Sequence, residues 1–156
     1  MAQPSSSQSP SGLHETLTTR FNLLLAEDNF PDVVLVREVI RSEELPLNMH
    51  VVSDGQQAIE FIEQCEQDPN GPCPHFVLLD LNLPKRDGFE VLRRLRASER
   101  CKAVPVVIIT SSDSPSDRAQ AAELGAGYFR KPPSYDEFLK LGGVLKQLLK
   151  DSGALP

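Results

Sequence analysis

The chain has 156 residues, of which 40% are apolar and 24% are charged, as is usual for one globular domain with its own core. Its formal net charge of -6 would repel phosphates, which argues against binding to nucleic acid or to an acidic membrane. No apolar run approaches the roughly 18 residues that a membrane span needs. Because no secretory signal pattern occupies the first twenty residues, the expected location is the cytoplasm.

The three cysteines, Cys65, Cys73 and Cys101, are odd in number and show no C-x-x-C spacing. This pattern argues against both a disulfide framework and a zinc site. We therefore expect all three to be reduced thiols.

The chain begins with a polar segment, residues 1–19, which is rich in Ser, Gln and Pro and is predicted to be a disordered tail. One domain is expected over 20–150, followed by a short C-terminal tail over 151–156. Most of the predicted strands are β-branched or Leu-rich and apolar at successive positions, which is typical of strands buried on both faces. In chain order these strands cover about 21–26, 48–53, 76–80, 104–110 and 128–130.

Five helical patterns alternate with the strands. Pro31 suits the first turn of the first helix, and the later helices carry apolar residues at helical spacing over 58–65, 87–98, 114–124 and 134–150. Alternation of this kind predicts an α/β fold with a single doubly wound, five-stranded parallel sheet and about five flanking helices. Ligands of such sheets bind beyond the carboxyl ends of the strands, where the strand order reverses.

Chemically active side chains lie at the ends of four predicted strands. Glu27 and Asp28 follow the first strand, the third strand ends in Asp80 and the fourth in Thr110, and Lys131 follows the fifth. Asp80 lies 52 positions after Asp28 and 51 positions before Lys131, which is about two β-α units in each direction. In a parallel sheet this spacing lets the side chains converge at one edge.

Three converging carboxylates would need a cation, because two unit charges 4 Å apart repel by about 4 kcal/mol at an effective dielectric of ~20. Oxygen ligands without His or Cys favour a hard ion such as Mg²⁺. A lysine and a threonine hydroxyl suit a phosphoryl group, and carboxylates are known phosphoryl acceptors. Taken singly, Asp28 reads as a helix cap, Lys131 as a surface lysine, Thr110 as a turn residue and Asp87 as a helix cap. The joint pattern favours a Mg²⁺-dependent phosphoryl site.

Four motifs carry a resemblance to a known family: "AEDN", "LLDLNLPKRDG", "IITSS" and "YFRKPP", in this order. With them the chain resembles a response-regulator receiver domain, the phosphoacceptor of two-component signalling, over about residues 21–150. The resemblance implies a flavodoxin-like fold with strand order 2-1-3-4-5, an order taken from the family and not from the sequence pattern.

The resemblance also implies roles for the acidic residues. Asp80 would be phosphorylated by the phosphohistidine of a sensor histidine kinase. Asp28 and Asp80 would bind Mg²⁺ together with the backbone carbonyl of Asn82, and Glu27 would act through a metal-bound water. Glu27 stands where many members of the family have Asp, but its longer side chain should still reach such a water.

On the other side of the site, the resemblance implies that Lys131 pairs with the phosphoryl oxygens. Thr110 would move toward the phosphoryl group and let Tyr128 turn inward, which makes these two residues the expected switch. The Lys131–Pro132 peptide bond would be cis, although only about 5–6% of X-Pro bonds are cis in folded proteins. Pro133 stands where another residue is usual in the family.

Only six residues follow the predicted last helix, so we expect a stand-alone receiver that signals by changed protein contacts. It would not be an enzyme beyond its own phosphorylation and dephosphorylation, and its downstream partner is not identified. The "EDN-x-P-D" opening and the long loop before the third strand resemble the small regulators that pair with phytochrome-type kinases. The resemblance also allows a homodimer through the fourth and fifth helices, with Leu145 and Leu149 either at that interface or against the sheet.

Three alternatives remain open. A haloacid-dehalogenase-type phosphatase would need a second Asp two residues after the nucleophile, where this chain has Asn82. A flavodoxin-type flavin binder would need a loop rich in Gly, Ser and Thr after the first strand, but "AEDNFPD" would repel a phosphate. A receiver scaffold that binds without being phosphorylated would keep the fold and lose the chemistry.

Overall fold

The computed structural model describes residues 20–68 and 73–153, so the predicted N-terminal tail, 1–19, and residues 154–156 of the C-terminal tail predicted over 151–156 lie outside the described residues. The five strands are β1 (Phe21–Ala26), β2 (Leu47–Val52), β3 (Phe76–Leu79), β4 (Val106–Thr110) and β5 (Gly127–Arg130). They form one parallel sheet in the order β2-β1-β3-β4-β5, which confirms the predicted fold. The helices between and after them are α1 (Phe30–Ser42), α2 (Gly55–Gln67), α3 (Gly88–Arg96), α4 (Pro115–Glu123), α5 (Tyr135–Phe138) and α6 (Leu141–Asp151).

Both faces of the sheet are covered, because successive strand residues point to opposite faces. On β1, Leu23 and Leu25 join a core layer with α1 and α6, whereas Leu24 and Ala26 join the layer with α2, α3 and α4. This explains why the central strands are apolar at every position. Leu145 and Leu149 of α6 are buried in the first of these layers, against the sheet.

The helices that follow the carboxyl ends of the strands begin at capped residues. In each case a side-chain oxygen accepts a hydrogen bond from the backbone N–H three residues later, which satisfies a donor of the first helical turn. The capping residues are Asn29, Asp54, Asp87, Ser114 and Ser134. Asp87 also forms a capping box with Glu90, so the predicted cap of α3 is confirmed. These caps fix where each helix starts beside the carboxyl edge of the sheet.

Several element boundaries differ from the sequence prediction, for example β2, which covers Leu47–Val52 and not 48–53. The strand predicted over 104–110 begins at Val106. The single helix predicted over 134–150 is divided into α5 and α6. In the turn between them, the N–H groups of Gly142 and Gly143 donate to the carbonyls three residues earlier, those of Leu139 and Lys140, as in a 3₁₀ turn. Two adjacent glycines are poor helix formers, which accounts for the break.

The expectation that all three cysteines are reduced was wrong. Cys73 and Cys101 form a disulfide, with 5.7 Å between their Cα atoms, whereas Cys65 is free. Cys73 precedes β3 and Cys101 precedes β4, and these strands are neighbours in the sheet. Strand pairing therefore brings together two cysteines that are 28 positions apart in the chain. Within the described residues, no helix is both long enough and apolar enough to cross a membrane.

Candidate functional site

The topology places the carboxyl ends of β1 and β3 side by side at the point where the strand order reverses. Ala26 pairs with Leu79, and the ladder continues one step further through the Asp80 N–H, which donates to the Ala26 carbonyl at 3.0 Å. The Glu27 N–H donates to the carbonyl of Val52 at the same distance. Glu27 and Asp80 therefore leave the sheet at one level, as the strand-end argument predicted.

Glu27, Asp28 and Asp80 converge as predicted. A carboxylate oxygen from each lies within 4.8 Å of the others. Glu27 is 1% exposed and Asp80 is 5% exposed, whereas Asp28 is exposed at the surface. The cluster therefore combines two buried carboxylates with one that is open to solvent.

Lys131 enters this acidic cluster from β5, where its backbone N–H donates to the carbonyl of Thr110 at 2.7 Å. Its ammonium nitrogen lies 2.7 Å from Glu27 Oε1, 2.8 Å from Asp32 Oδ2 and 3.6 Å from Asp80 Oδ2. The Lys131 side chain is only 13% exposed. One cation is therefore shared among three carboxylates.

Burial and the nearby charge of Asp80 raise the pKa of Glu27. Burial raises the pKa of Glu27 to about 7, since the opposing contacts from Lys131 are partly offset by the negative charge of Asp80. Burial would lower the pKa of Lys131, but its hydrogen bond with Asp32 and its close ionic contact with Glu27 outweigh burial and raise the pKa above the ordinary value. Lys131 is therefore charged at neutral pH, and Glu27 is close to its titration midpoint.

The donor set fits a hard divalent cation. Glu27 Oε1 is buried and has no aligned hydrogen-bond donor, because Lys131 Nζ lies within ion-pair distance but outside hydrogen-bond geometry. An orphaned carboxylate oxygen beside two further carboxylates is the kind of ligand that Mg²⁺ prefers. The cluster of Glu27, Asp28 and Asp80 could therefore hold such an ion.

The predicted switch residues, Thr110 and Tyr128, both contact the loop after β4. Thr110 is fully buried, and its hydroxyl oxygen accepts a hydrogen bond from the Ser112 N–H at 3.3 Å. The Tyr128 hydroxyl donates to the Ser112 carbonyl at 3.0 Å, while the Arg118 guanidinium lies 4.5 Å from the centre of its ring. Ser112 joins the two residues, a link that the sequence analysis missed although "TSS" contains it.

The loop between β3 and α3 packs tightly under Asp80. The Asn82 N–H donates to Asp80 Oδ1 at 3.4 Å, while metal binding by the Asn82 carbonyl stays a prediction. Gly88 donates from its N–H to the Leu81 carbonyl at 2.9 Å. A Cβ atom at position 88 would lie 2.4 Å from the Asp80 carbonyl oxygen, so only glycine fits this close approach.

Two further findings depart from the predicted site. The peptide bond between Lys131 and Pro132 is trans, contrary to the cis bond expected from the resemblance. Trans is the form that X-Pro bonds favour by about 0.5–1 kcal/mol, and Lys131 reaches the acidic cluster with it. Asp32 was missed as a site residue. Asp32 is the last residue of the "EDN-x-P-D" opening, but an acid in the first turn of a helix is also common in structural roles.

Comparison with known protein sequences identifies a family whose members carry this fold. Residues 23–141 match the family described as the response regulator receiver domain. The chain is similar to response regulator Rcp1 of Synechocystis sp., with 33% identity over 135 residues that make up 86% of this chain and 92% of Rcp1. It is also 33% identical to the probable methanogenesis regulatory protein FilR2 of Methanothrix harundinacea, over 81% of this chain and 82% of FilR2.

Solved structures share the fold. The phosphorylated cyanobacterial phytochrome response regulator RcpA has a TM-score of 0.77 at 28% identity, with 88% of this chain and 99% of RcpA covered. The Mn²⁺-bound form of Rcp1 has a TM-score of 0.73 at 33% identity, with coverage of 81% and 92%. The receiver domain of the Pseudomonas aeruginosa sensor kinase PA1611, which has magnesium coordinated in its active-site cleft, has a TM-score of 0.63 at 26% identity, with coverage of 85% and 97%.

Proposed function

This chain belongs to the response regulator receiver domain family, and we propose that it accepts a phosphoryl group on Asp80. Phosphorylation by a kinase is the function of that family. The observation that carries the assignment to Asp80 is its position, because it is a nearly buried carboxylate that faces two metal-ligating candidates and an ammonium group. Asp28 is exposed, and Glu27 is enclosed by Lys131 and by the N–H of Asn29.

The residues around Asp80 would have two roles, metal binding and binding of the phosphoryl oxygens. Glu27, Asp28 and the carboxylate of Asp80 would hold Mg²⁺, with the carbonyl of Asn82 as a further ligand. The ion would supply positive charge next to the transferring phosphoryl group. Lys131 would hold its ammonium group against the phosphoryl oxygens, and the partly buried setting strengthens that attraction.

Thr110 and Tyr128 would pass the change on. A phosphoryl group on Asp80 offers new acceptor oxygens, and the Thr110 hydroxyl is a donor within the same strand-end layer. If Thr110 turns toward it, the hydrogen bond that its oxygen now accepts from Ser112 is lost. Because Tyr128 is bonded to the same Ser112, the loop after β4 and the tyrosine would move together.

The proposed phosphodonor is a sensor histidine kinase, and the similarity to Rcp1 and RcpA favours one of the phytochrome type. We place this exchange in the cytoplasm. The output would be altered protein contacts and not an enzymatic activity on other substrates, with a homodimer through α4 and the last helices as one form of contact. Neither nucleic acid nor membrane is a proposed partner of this acidic chain.

A small phosphodonor tests the assignment directly. Incubation with acetyl phosphate and Mg²⁺ should add about 80 Da to the intact protein, as expected for one phosphoryl group. Asp80→Asn should abolish the addition, because the amide is not a nucleophile, whereas Asp151→Asn on α6 should leave it unchanged. Removal of Mg²⁺ with EDTA should also abolish it. Full labelling of the Asp80→Asn variant would assign the acceptor to another residue.

A further inference from the structure

Lys131 is held by an aspartate that lies outside the acidic cluster described above. Asp32 belongs to the first turn of α1, where its own N–H is fixed by the capping side chain of Asn29. Its carboxylate oxygen Oδ2 accepts a hydrogen bond from Lys131 Nζ at 2.8 Å, across 99 positions of the chain. Both side chains are largely buried, at 19% exposure for Asp32 and 13% for Lys131.

The three carboxylates around Lys131 are not equivalent. Asp80 is 3.6 Å from the ammonium nitrogen, which is too far for a hydrogen bond, and the 2.7 Å contact with Glu27 Oε1 lacks hydrogen-bond alignment. Among the contacts of the described residues, Asp32 supplies the aligned hydrogen bond to Nζ. The direction of the ammonium group is therefore set mainly from α1.

The difference matters once a cation is present. Glu27 and Asp80 are members of the metal cluster, whereas Asp32 is not. A cation bound at the cluster would compete with Lys131 for the Glu27 carboxylate. The long lysine side chain could then turn away by rotation about its several single bonds. Asp32 remains as its anchor, on a helix turn that a cap holds in place.

We propose that Asp32 is a positioning residue that holds the Lys131 ammonium group within reach of the phosphoryl group accepted by Asp80. Asp32 does not touch the transferring group and acts through Lys131. This inference rests on the proposed phosphorylation of Asp80. It assigns a role to the acid four residues after Asp28, which the strand-end pattern leaves without one.

The first test follows phosphorylation by acetyl phosphate at saturating Mg²⁺. Asp32→Ala should lower the maximal rate about tenfold, the effect of losing one charge-assisted hydrogen bond, with little change in the phosphodonor concentration that gives half the maximal rate. Asp32→Asn keeps an oxygen acceptor and should lose less. Asp136→Ala removes an exposed acid from the first turn of α5 and is the matched control, expected to retain the wild-type rate.

A double-mutant cycle separates positioning from a general structural role. In a Lys131→Met background, Asp32→Ala should cause no further loss of rate, because the group through which it acts is gone. Losses that multiply across the two substitutions would overturn the proposal. An unlabelled wild-type protein would instead refute phosphorylation of Asp80, so the two failures are distinguishable.

A spectroscopic readout needs neither metal nor phosphodonor. In a proton–nitrogen correlation spectrum of the lysine side chains, the Lys131 ammonium signal should be visible in the wild type because its hydrogen bond and burial slow proton exchange. The signal should disappear in Asp32→Ala and persist in Asp136→Ala. Persistence of an unshifted signal in Asp32→Ala would show that Asp32 does not hold the ammonium group.

Discussion

The two ends of the parallel sheet are built in opposite ways. At the amino end, the disulfide between Cys73 and Cys101 joins the segments that lead into β3 and β4. Beside it, the guanidinium group of Arg96 donates to four carbonyl oxygens, those of Leu124, Val104, Lys102 and Gly125. This end is fastened by a covalent bond and by hydrogen bonds from one guanidinium group to neutral carbonyl oxygens.

At the carboxyl end the polar groups are close together but poorly satisfied. One ammonium group, that of Lys131, faces Glu27, Asp32 and Asp80, and a buried oxygen of Glu27 lacks an aligned donor. Such an arrangement reduces stability, and proteins retain it where a ligand or a reacting group relieves it. The amino end is therefore held by a disulfide and directed hydrogen bonds, whereas the carboxyl end carries unsatisfied charge that a cation and a phosphoryl group would relieve.

The largest effect on the free energy of unfolding is expected when the disulfide at the amino end is removed. Replacing Cys73 and Cys101 together by Ala should lower the free energy of unfolding by about 3.5 kcal/mol, because the bond closes a 28-residue separation in the unfolded chain. Urea unfolding measures the loss. The rate of phosphorylation of Asp80 in the folded variant should stay within about twofold, since the site is at the other end.

Thiol counting checks the same bond. Unfolded protein without reductant should show one reactive thiol per chain, that of Cys65, and three after reduction. Cys65→Ala is the matched control and should not alter the effect of reductant on unfolding. Three thiols before reduction would remove the disulfide from the comparison. Disulfides are uncommon in the cytosol. In a cytoplasmic location this bond would therefore either resist reduction by cellular thiols or open and close with the cellular redox state.

The next largest effect is expected at the carboxyl end and depends on pH. Between pH 4.5 and about 7, folded protein retains a proton on Glu27 that the unfolded chain has released, because burial raises the pKa of Glu27 to about 7. Without metal, the free energy of unfolding should therefore fall as pH rises through this window, by on the order of 2 to 3 kcal/mol. The raised pKa of Lys131 acts only at alkaline pH and does not oppose this trend.

Unfolding curves in EDTA at several pH values measure the slope, and Glu27→Gln isolates it. The variant should be flatter with pH and more stable than the wild type at pH 8, because the amide carries no charge to bury. Mg²⁺ should restore stability to the wild type at pH 8 and restore less to the variant. Equal slopes in the two proteins would contradict the charge strain assigned to Glu27.

The smallest effect is expected at Arg96. Arg96→Met keeps the apolar stem of the side chain but leaves its carbonyl partners without a donor, which should cost about 1 to 2 kcal/mol of unfolding free energy. Arg93→Met on the same helix is the matched control, because Arg93 is exposed and only faces the ring of Phe89 at 6.0 Å. An equal change in the two variants would mean that the carbonyl contacts of Arg96 do not fasten the amino end.

Much of the fold and of the site could be predicted, because the signals are local. A strand buried on both faces must be apolar at every position, and the run from Phe76 to Leu79 shows this directly. A residue that follows such a strand must lie at the carboxyl edge of the sheet, so the meeting of Glu27, Asp28 and Asp80 follows from element order. The resemblance to the receiver family supplied the strand order, which the pattern alone leaves open.

What the sequence could not determine depends on pairs of residues from separate elements. By itself the sequence determined the succession of strands and helices along the chain, the buried faces and the strand-end acids, because each of these is a property of one segment. Only the tertiary structure decided that Cys73 meets Cys101 and that Asp32 holds Lys131. The physical reason is that these contacts are set by strand pairing and helix packing, which bring side chains to within bonding distance although no local pattern marks them as partners.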